Sequence, residues 1–143
     1  RATPGAGAAG GVGYALLAIQ DRFRSFALRP GVDLVMDATD FDARLARASL
    51  VITGEGRIDA QTAFGKTALG VARRAQAAGV PCIAVGGGVE VEGIEALATV
   101  GAVAVPVVER PQSMEEAMAS GAPALERCAE RIARLIDLTK SIA

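Results

Sequence analysis

Histidine is absent from this 143-residue chain. That removes the commonest general base and closes off Cys/His zinc spacings, so any proton transfer falls to carboxylates or lysine. Cysteine is almost as scarce. Cys82 and Cys128 sit in separate apolar stretches, which argues against a disulfide framework and reads as two buried thiols in a reducing compartment. An excess of one charge is lacking as well: fifteen basic residues face sixteen acidic ones, for a formal charge of −1. No global field then favours nucleic acid or an anionic membrane surface, and any anion must be held locally. No apolar run reaches the ~18 to 20 residues that cross a bilayer. Nothing at the start resembles a signal peptide, so the expected location is cytoplasmic.

What is present is a 51% apolar chain with 22% charged residues, enough to bury one sizeable core. Arg1 runs at once into a glycine-rich stretch, so the chain reads as a piece of a longer protein. Residues 1–31 read as a glycine-rich hinge and helix or as the end of an inserted second domain. Residues 32–143 read as the α/β part, because short apolar runs alternate there with segments of helical period. The expected strands are Asp33 to Ala38, Ser49 to Thr53, Cys82 to Val85 and Ala102 to Val107, apolar enough to be buried on both faces of a parallel sheet. Helix signals lie between them. Thr39-x-x-Asp42 and Ser113-x-x-Glu116 read as capping boxes, and Gly79 followed by Pro81 reads as a helix stop.

The opening run contains G-x-G-x-x-G at Gly5, Gly7 and Gly10, but it has no strand before it and no acidic residue at a strand end after it. A dinucleotide fingerprint needs both. A tightly packed helix start and an anion-cradling loop remain as alternatives. Gly65-Lys66-Thr67 is not a Walker A motif, because Ala60 stands where that motif needs a glycine.

The densest chemistry follows the strand ending at Thr53. Gly54-Glu55-Gly56-Arg57-Ile58-Asp59 leads into Gly65-Lys66, expected as a loop at the C-terminal end of a buried strand, where open parallel sheets bind ligands. Two carboxylates, two cations and several glycines suit phosphoryl transfer. Arg57 and Lys66 can neutralise phosphate charge, Glu55 or Asp59 can hold Mg²⁺ or take a hydroxyl proton, and Gly54 and Gly56 let a ligand approach the backbone. Lys66 also sits where a helix dipole disfavours a cation, a conflict that a bound anion would remove. Arg57 could equally form a solvated salt bridge with Glu55 or Asp59. Gly86, Gly87 and Gly88 follow another strand and are expected on the same edge, as are Asp37 and Asp40, which read as caps or ligands.

At these residues the chain resembles the type I glycerate kinase family. The resemblance lies in Pro4-Gly5-Ala6-Gly7-Ala8-Ala9-Gly10-Gly11, in Leu50 through Thr62 with Gly65-Lys66, and in Gly70-Val71-Ala72-Arg73-Arg74-Ala75. It implies a two-domain kinase of well over twice this length, whose Rossmann-like domain draws on both ends of its chain. This sequence would supply the C-terminal part. It further implies ATP and Mg²⁺ as cofactors, glycerate as acceptor and 2-phosphoglycerate as the favoured product. The implied partner is the N-terminal part of the same chain, or a second copy through an open sheet edge. A non-catalytic small-molecule or nucleotide-binding α/β module is the alternative.

Overall fold

The computed structural model describes residues 3, 6–64 and 67–140, and they divide into two compact units, residues 1–42 and 43–143. The first unit is helical. Helix α1 (Ala8–Ala18) opens in left-handed geometry, with Ala9, Gly10 and Gly11 at φ of 52°, 71° and 90°, before the apolar run winds regularly. Helix α2 (Gly31–Ala38) occupies the segment expected as the first strand. A short apolar run fits either element. Here Pro30, fixed near φ −54°, starts a helix, and only one face, that of Met36, is buried. The Thr39 hydroxyl donates to the Val35 and Met36 carbonyls at the helix end. It therefore closes α2 rather than forming a capping box for the short helix α3 (Phe41–Leu45).

The second unit is built on three parallel strands in the order β1 (Val51–Ile58), β2 (Cys82–Val89), β3 (Val103–Pro106). The fold class is α/β, as the alternation of apolar runs and helical segments implies. Both of the first two strands run further than expected. They continue through Gly54-Glu55-Gly56-Arg57 and through Gly86-Gly87-Gly88 as strand and not loop, with Gly54, Glu55, Arg57, Gly86 and Gly88 paired in the ladder and Gly56 and Gly87 passing between its pairs. Helices α4 (Thr67–Ala77) and α5 (Val91–Ala98) provide the crossovers, with Ala68, Leu69, Ala72, Ala75 and Leu97 fully or almost fully buried. Each ends in a glycine of positive φ. At Gly79 (φ 70°) the Val80 amide returns to the Ala75 carbonyl at 2.9 Å, and at Gly101 (φ 67°) the Ala102 amide returns to Leu97 at 3.0 Å. These are the double-bonded glycine stops that let a helix hand over to a strand.

Helix α6 (Met114–Lys140) begins at the expected capping box. The Glu116 amide donates to Ser113 Oγ and the Ser113 amide to Glu116 Oε2. It breaks at Gly121 (φ 38°, ψ −130°), and its second half lays Cys128 and Ile132 on Val85, Ile83 and Val105. Side chains alternate across a strand, so residues 83 and 85 face α6 while the buried Cys82 and Ala84 face the other layer. Among the described residues no helix is long and apolar enough to cross a membrane.

Candidate functional site

Parallel pairing brings the C-terminal ends of β1 and β2 to one edge, with Glu55 opposite Gly86, Arg57 opposite Gly88 and Ile58 opposite Val89. Beyond them opens a cavity of about 510 Å³. Its lining comes from three sources: Gly56, Arg57 and Gly87 to Glu90 at the strand ends, Val107 to Arg110 after β3, and Met114, Ala117 and Met118 on the first half of α6.

Arg57 is the cation at the strand end. Its guanidinium donates to Glu90 Oε1 through Nε at 3.1 Å and through Nη2, and Asp59 Oδ2 lies 3.7 Å from Nε. The hydrogen bond and charge of Glu90 push the arginine pKa further up, so Arg57 is a permanent cation. Glu90 stands at the N-cap position of α5 without capping it, its side chain turned to Arg57 instead. On the far side, Glu109 accepts from Arg127 at 2.9 and 3.0 Å and from Arg131 at 2.6 Å. The Arg127 hydrogen bond leads in holding the Glu109 carboxyl below the ordinary range, and Arg131 adds to it.

Asp59 does structural work at the turn after β1. Its Oδ1 accepts the Gln61 amide at 2.9 Å, while its own amide donates to Oγ1 of the fully buried Thr62 at 3.1 Å. Glu55 reaches out of β1 to accept the Ala68 amide at 3.1 Å, capping the start of α4. Each of these carboxylates thus has an oxygen committed to the backbone. Among the described residues, no group of three or more His, Cys, Asp or Glu side chains could enclose a metal ion. A Mg²⁺ carried on phosphates keeps most of its waters and asks for one or two carboxylates at most; Asp59 has Oδ1 on the Gln61 amide and Oδ2 3.7 Å from the Arg57 guanidinium. Lys66 and Gly5 lie outside the described residues. Gly7 and Gly10 belong to the unit of residues 1–42, Gly7 at the N-cap position of α1 and Gly10 in its left-handed opening. Asp37 pairs with Arg29 at the end of α2, in that same unit and not at a strand end.

The strand glycines separate into two kinds. A Cβ on Gly87 would lie 2.6 Å from the Gly56 carbonyl oxygen, and one on Gly86 would lie 2.8 Å from the Gly88 carbonyl oxygen. One on Gly54 would come to 3.3 Å from the Val85 carbonyl oxygen. Close packing explains these three. At Gly56 and Gly88 a Cβ would meet nothing within 4 Å and φ is not positive, so the fold itself does not ask for glycine. Both line the cavity.

Sequence reasoning missed Glu90, Glu109, Arg110, Met114 and Met118. Strand polarity was the available signal, since residues that follow β2 and β3 must emerge on the same edge as those that follow β1.

The glycerate kinase family model matches residues 1–137. The chain is 47% identical over 139 residues to a glycerate kinase of Halalkalibacterium halodurans, covering 96% of this chain and 35% of that protein. It is 41% identical over 149 residues to a glycerate kinase of Bacillus subtilis, covering 99% and 36%. In three dimensions it is similar to a crystal structure assigned as glycerate kinase 2 from Salmonella typhimurium LT2, with a TM-score of 0.64 and 35% identity over 96% of this chain and 34% of that one. The chain therefore spans about a third of the length of the relatives it matches. Near-complete coverage by the family model, together with relatives of this identity, shows that the chain belongs to the glycerate kinase family.

Proposed function

We propose that this chain is the part of an ATP-dependent glycerate kinase that carries one wall of the active site, and that the enzyme makes phosphoglycerate, with 2-phosphoglycerate as the favoured product. The observation that carries this reading is the cavity at the strand ends, where bare glycine backbone and Arg57 lie side by side. Phosphoryl transfer asks a protein mostly for position and charge. A glycerate hydroxyl oxygen bonds to the γ-phosphorus of ATP, the bond from that phosphorus to the β,γ-bridging oxygen breaks, and ADP departs. The hydroxyl proton passes to a carboxylate. We assign that task to Asp59, at the turn after β1, over Glu55, each of them with one carboxylate oxygen on a backbone amide. Arg57 and Lys66 neutralise phosphate charge, and Mg²⁺ supplies further neutralisation when Asp59 or Glu55 helps to hold it.

The outer edge of β1 has no strand partner among the described residues, and Ile52 on it is 57% exposed. A groove of about 180 Å³ runs beside it between Ile52, Val85, Cys128 and Ile136. In this reading the remaining two-thirds of the family's chain length covers that edge and completes a Rossmann-like domain. A dimer formed through the edge is the competing outcome in sedimentation of the family-length protein.

The test is turnover of ATP with glycerate by a family-length protein that carries this chain. Arg57→Ala, Asp59→Asn and Lys66→Ala are each expected to lower kcat by about 10²-fold or more. Unchanged kcat in all three, or no turnover of glycerate by the parent, would overturn the reading.

A further inference from the structure

The cavity at the strand ends is chemically two-sided. One side is Met114, Ala117 and Met118, whose i, i+3, i+4 spacing puts them on a single helix face. Met114 and Met118 are 70% and 77% exposed, two soft and adaptable apolar side chains standing open beside a cavity. The other side carries three arginines, Arg57, Arg110 and Arg127, with two carboxylates, Glu90 and Glu109, among them. Arg57 is paired with Glu90, but in an exposed pair of the kind that contributes little and exchanges readily for another anion. Arg110 has no ion-pair partner among the described residues. Between the two sides lies the bare backbone of Gly56 and Gly88.

A ligand that satisfies this lining has a flat apolar part at one end and an anionic part at the other. Glycerate has no apolar part to set against two methionines, and the cavity lies in the ~300 to 1,000 Å³ range of larger ligands. A nucleoside triphosphate has both parts. Building on the kinase reading above, we infer that this cavity is the nucleotide subsite. The base lies along Met114, Ala117 and Met118, the phosphates cross Gly56 and Gly88 toward Arg57 and Arg110, and the acceptor binds elsewhere. The first half of α6 then determines nucleotide affinity.

Steady-state kinetics and calorimetric titration of a family-length protein carrying this chain test the assignment. The double variant Met114→Ala/Met118→Ala, at exposed positions that leave the core intact, is expected to raise KM for ATP about tenfold through lost sulfur–ring and packing contacts. KM for glycerate stays within about twofold. Calorimetry with ATP shows the same weakening, whereas inorganic tripolyphosphate, which lacks a base, binds the double variant as it binds the parent. Arg110→Ala weakens both ligands. Gly88→Ala, at a position with open space for a Cβ, weakens ATP binding without lowering the melting temperature. A rise in KM for glycerate with ATP unaffected would make the cavity the acceptor subsite and sink the inference. Equal weakening of ATP and tripolyphosphate by the methionine variant would remove the base from the helix face and sink it as well. If ATP binds with these dependencies and glycerate is not phosphorylated, the kinase reading fails and the subsite stands. If glycerate is phosphorylated and the methionine variant binds ATP normally, the reverse holds.

Discussion

Two neighbouring glycines of β2 are expected to respond in opposite ways to the same added methyl group. In Gly87→Ala the new Cβ lies 2.6 Å from the Gly56 carbonyl oxygen, below the 3.0 Å that real Cβ atoms keep. The obstructing atom is backbone in the paired strand, so no side chain can rotate away. Relief requires β1 and β2 to part where they are hydrogen-bonded. Overpacking of this kind costs ~1 to 3 kcal/mol, and a backbone-on-backbone clash belongs at the upper end. The smaller entropy of an unfolded alanine offsets ~0.4 to 1 kcal/mol. The net loss is about 2 kcal/mol, which for a chain of this size lowers Tm by roughly 4 to 8 °C. In Gly88→Ala the Cβ meets nothing within 4 Å and φ is ordinary, so only the entropy gain remains. That variant is expected to melt roughly 1 to 4 °C higher than the parent. Its cost appears instead in the cavity, where the methyl group occupies ligand space and raises KM for ATP. Thermal melts of the two variants beside the parent settle the matter. Equal destabilisation of both would mean that the close approach of Gly87 to Gly56 does not govern this sheet end, and the division of the glycines would collapse.

Two further outcomes follow from the same structure. Leu97→Ala deletes a side chain with 0% exposure on α5 and is expected to cost ~2 to 5 kcal/mol, read as a lower urea midpoint with an unchanged slope. Glu109 ties the segment after β3 to α6, and its pKa is lowered by its hydrogen bonds to Arg127 and Arg131. A depressed carboxylate pKa contributes stability that is full above the unfolded value, about 4.3, and is lost as pH falls through the folded one. Glu109→Gln should therefore melt below the parent at pH 7, and the two should converge once pH has fallen through the lowered Glu109 pKa. A gap that persists there would mean the tie acts through packing rather than charge.

The sequence made the architecture legible where burial dominates and misled where glycine does. The cores of β1, β2 and β3, the stop at Gly79 and the capping box at Ser113 all rest on local rules that tertiary structure did not overrule. Gly54, Gly56 and Gly86 to Gly88 looked like loop because a residue without a side chain contributes little to a sheet face. In this pair of strands the ladder holds at Gly54, Gly86 and Gly88 and skips Gly56 and Gly87, whose missing side chains allow their close approach. The segment 33–38 failed for a different reason, since six residues of mixed apolar character satisfy both periods and the arbiter was the chain entering from Pro30. Of the candidate site, Glu55, Arg57 and Asp59 were visible as a cluster. Their partners Ala68, Glu90 and Thr62 were not paired with them, because two of the three contacts join elements that only the βαβ crossovers bring together.

Placing the chemistry on strand ends rather than on a loop changes what the site can do. A loop of the sequence Gly54 to Asp59 would carry its charges through many conformations and would lose entropy each time it closed on a ligand. As ladder residues, Glu55 and Arg57 have their backbone fixed by β2, and Asp59 is held by its bonds to Gln61 and Thr62. The side chains of residues 55 and 57 bond to the starts of α4 and α5, and Arg57 lines the cavity together with the bare main chain of Gly56. A side chain at position 56 would fill the space where a ligand can meet backbone, and a longer loop would move the cation away from it. The small size of the glycines and the rigidity of the strands thus serve one purpose, which is to hold a fixed positive charge beside an open stretch of main chain. Electrostatic stabilisation needs that preorganised arrangement, because donors already in place cost no reorganisation when charge develops on the transferring group.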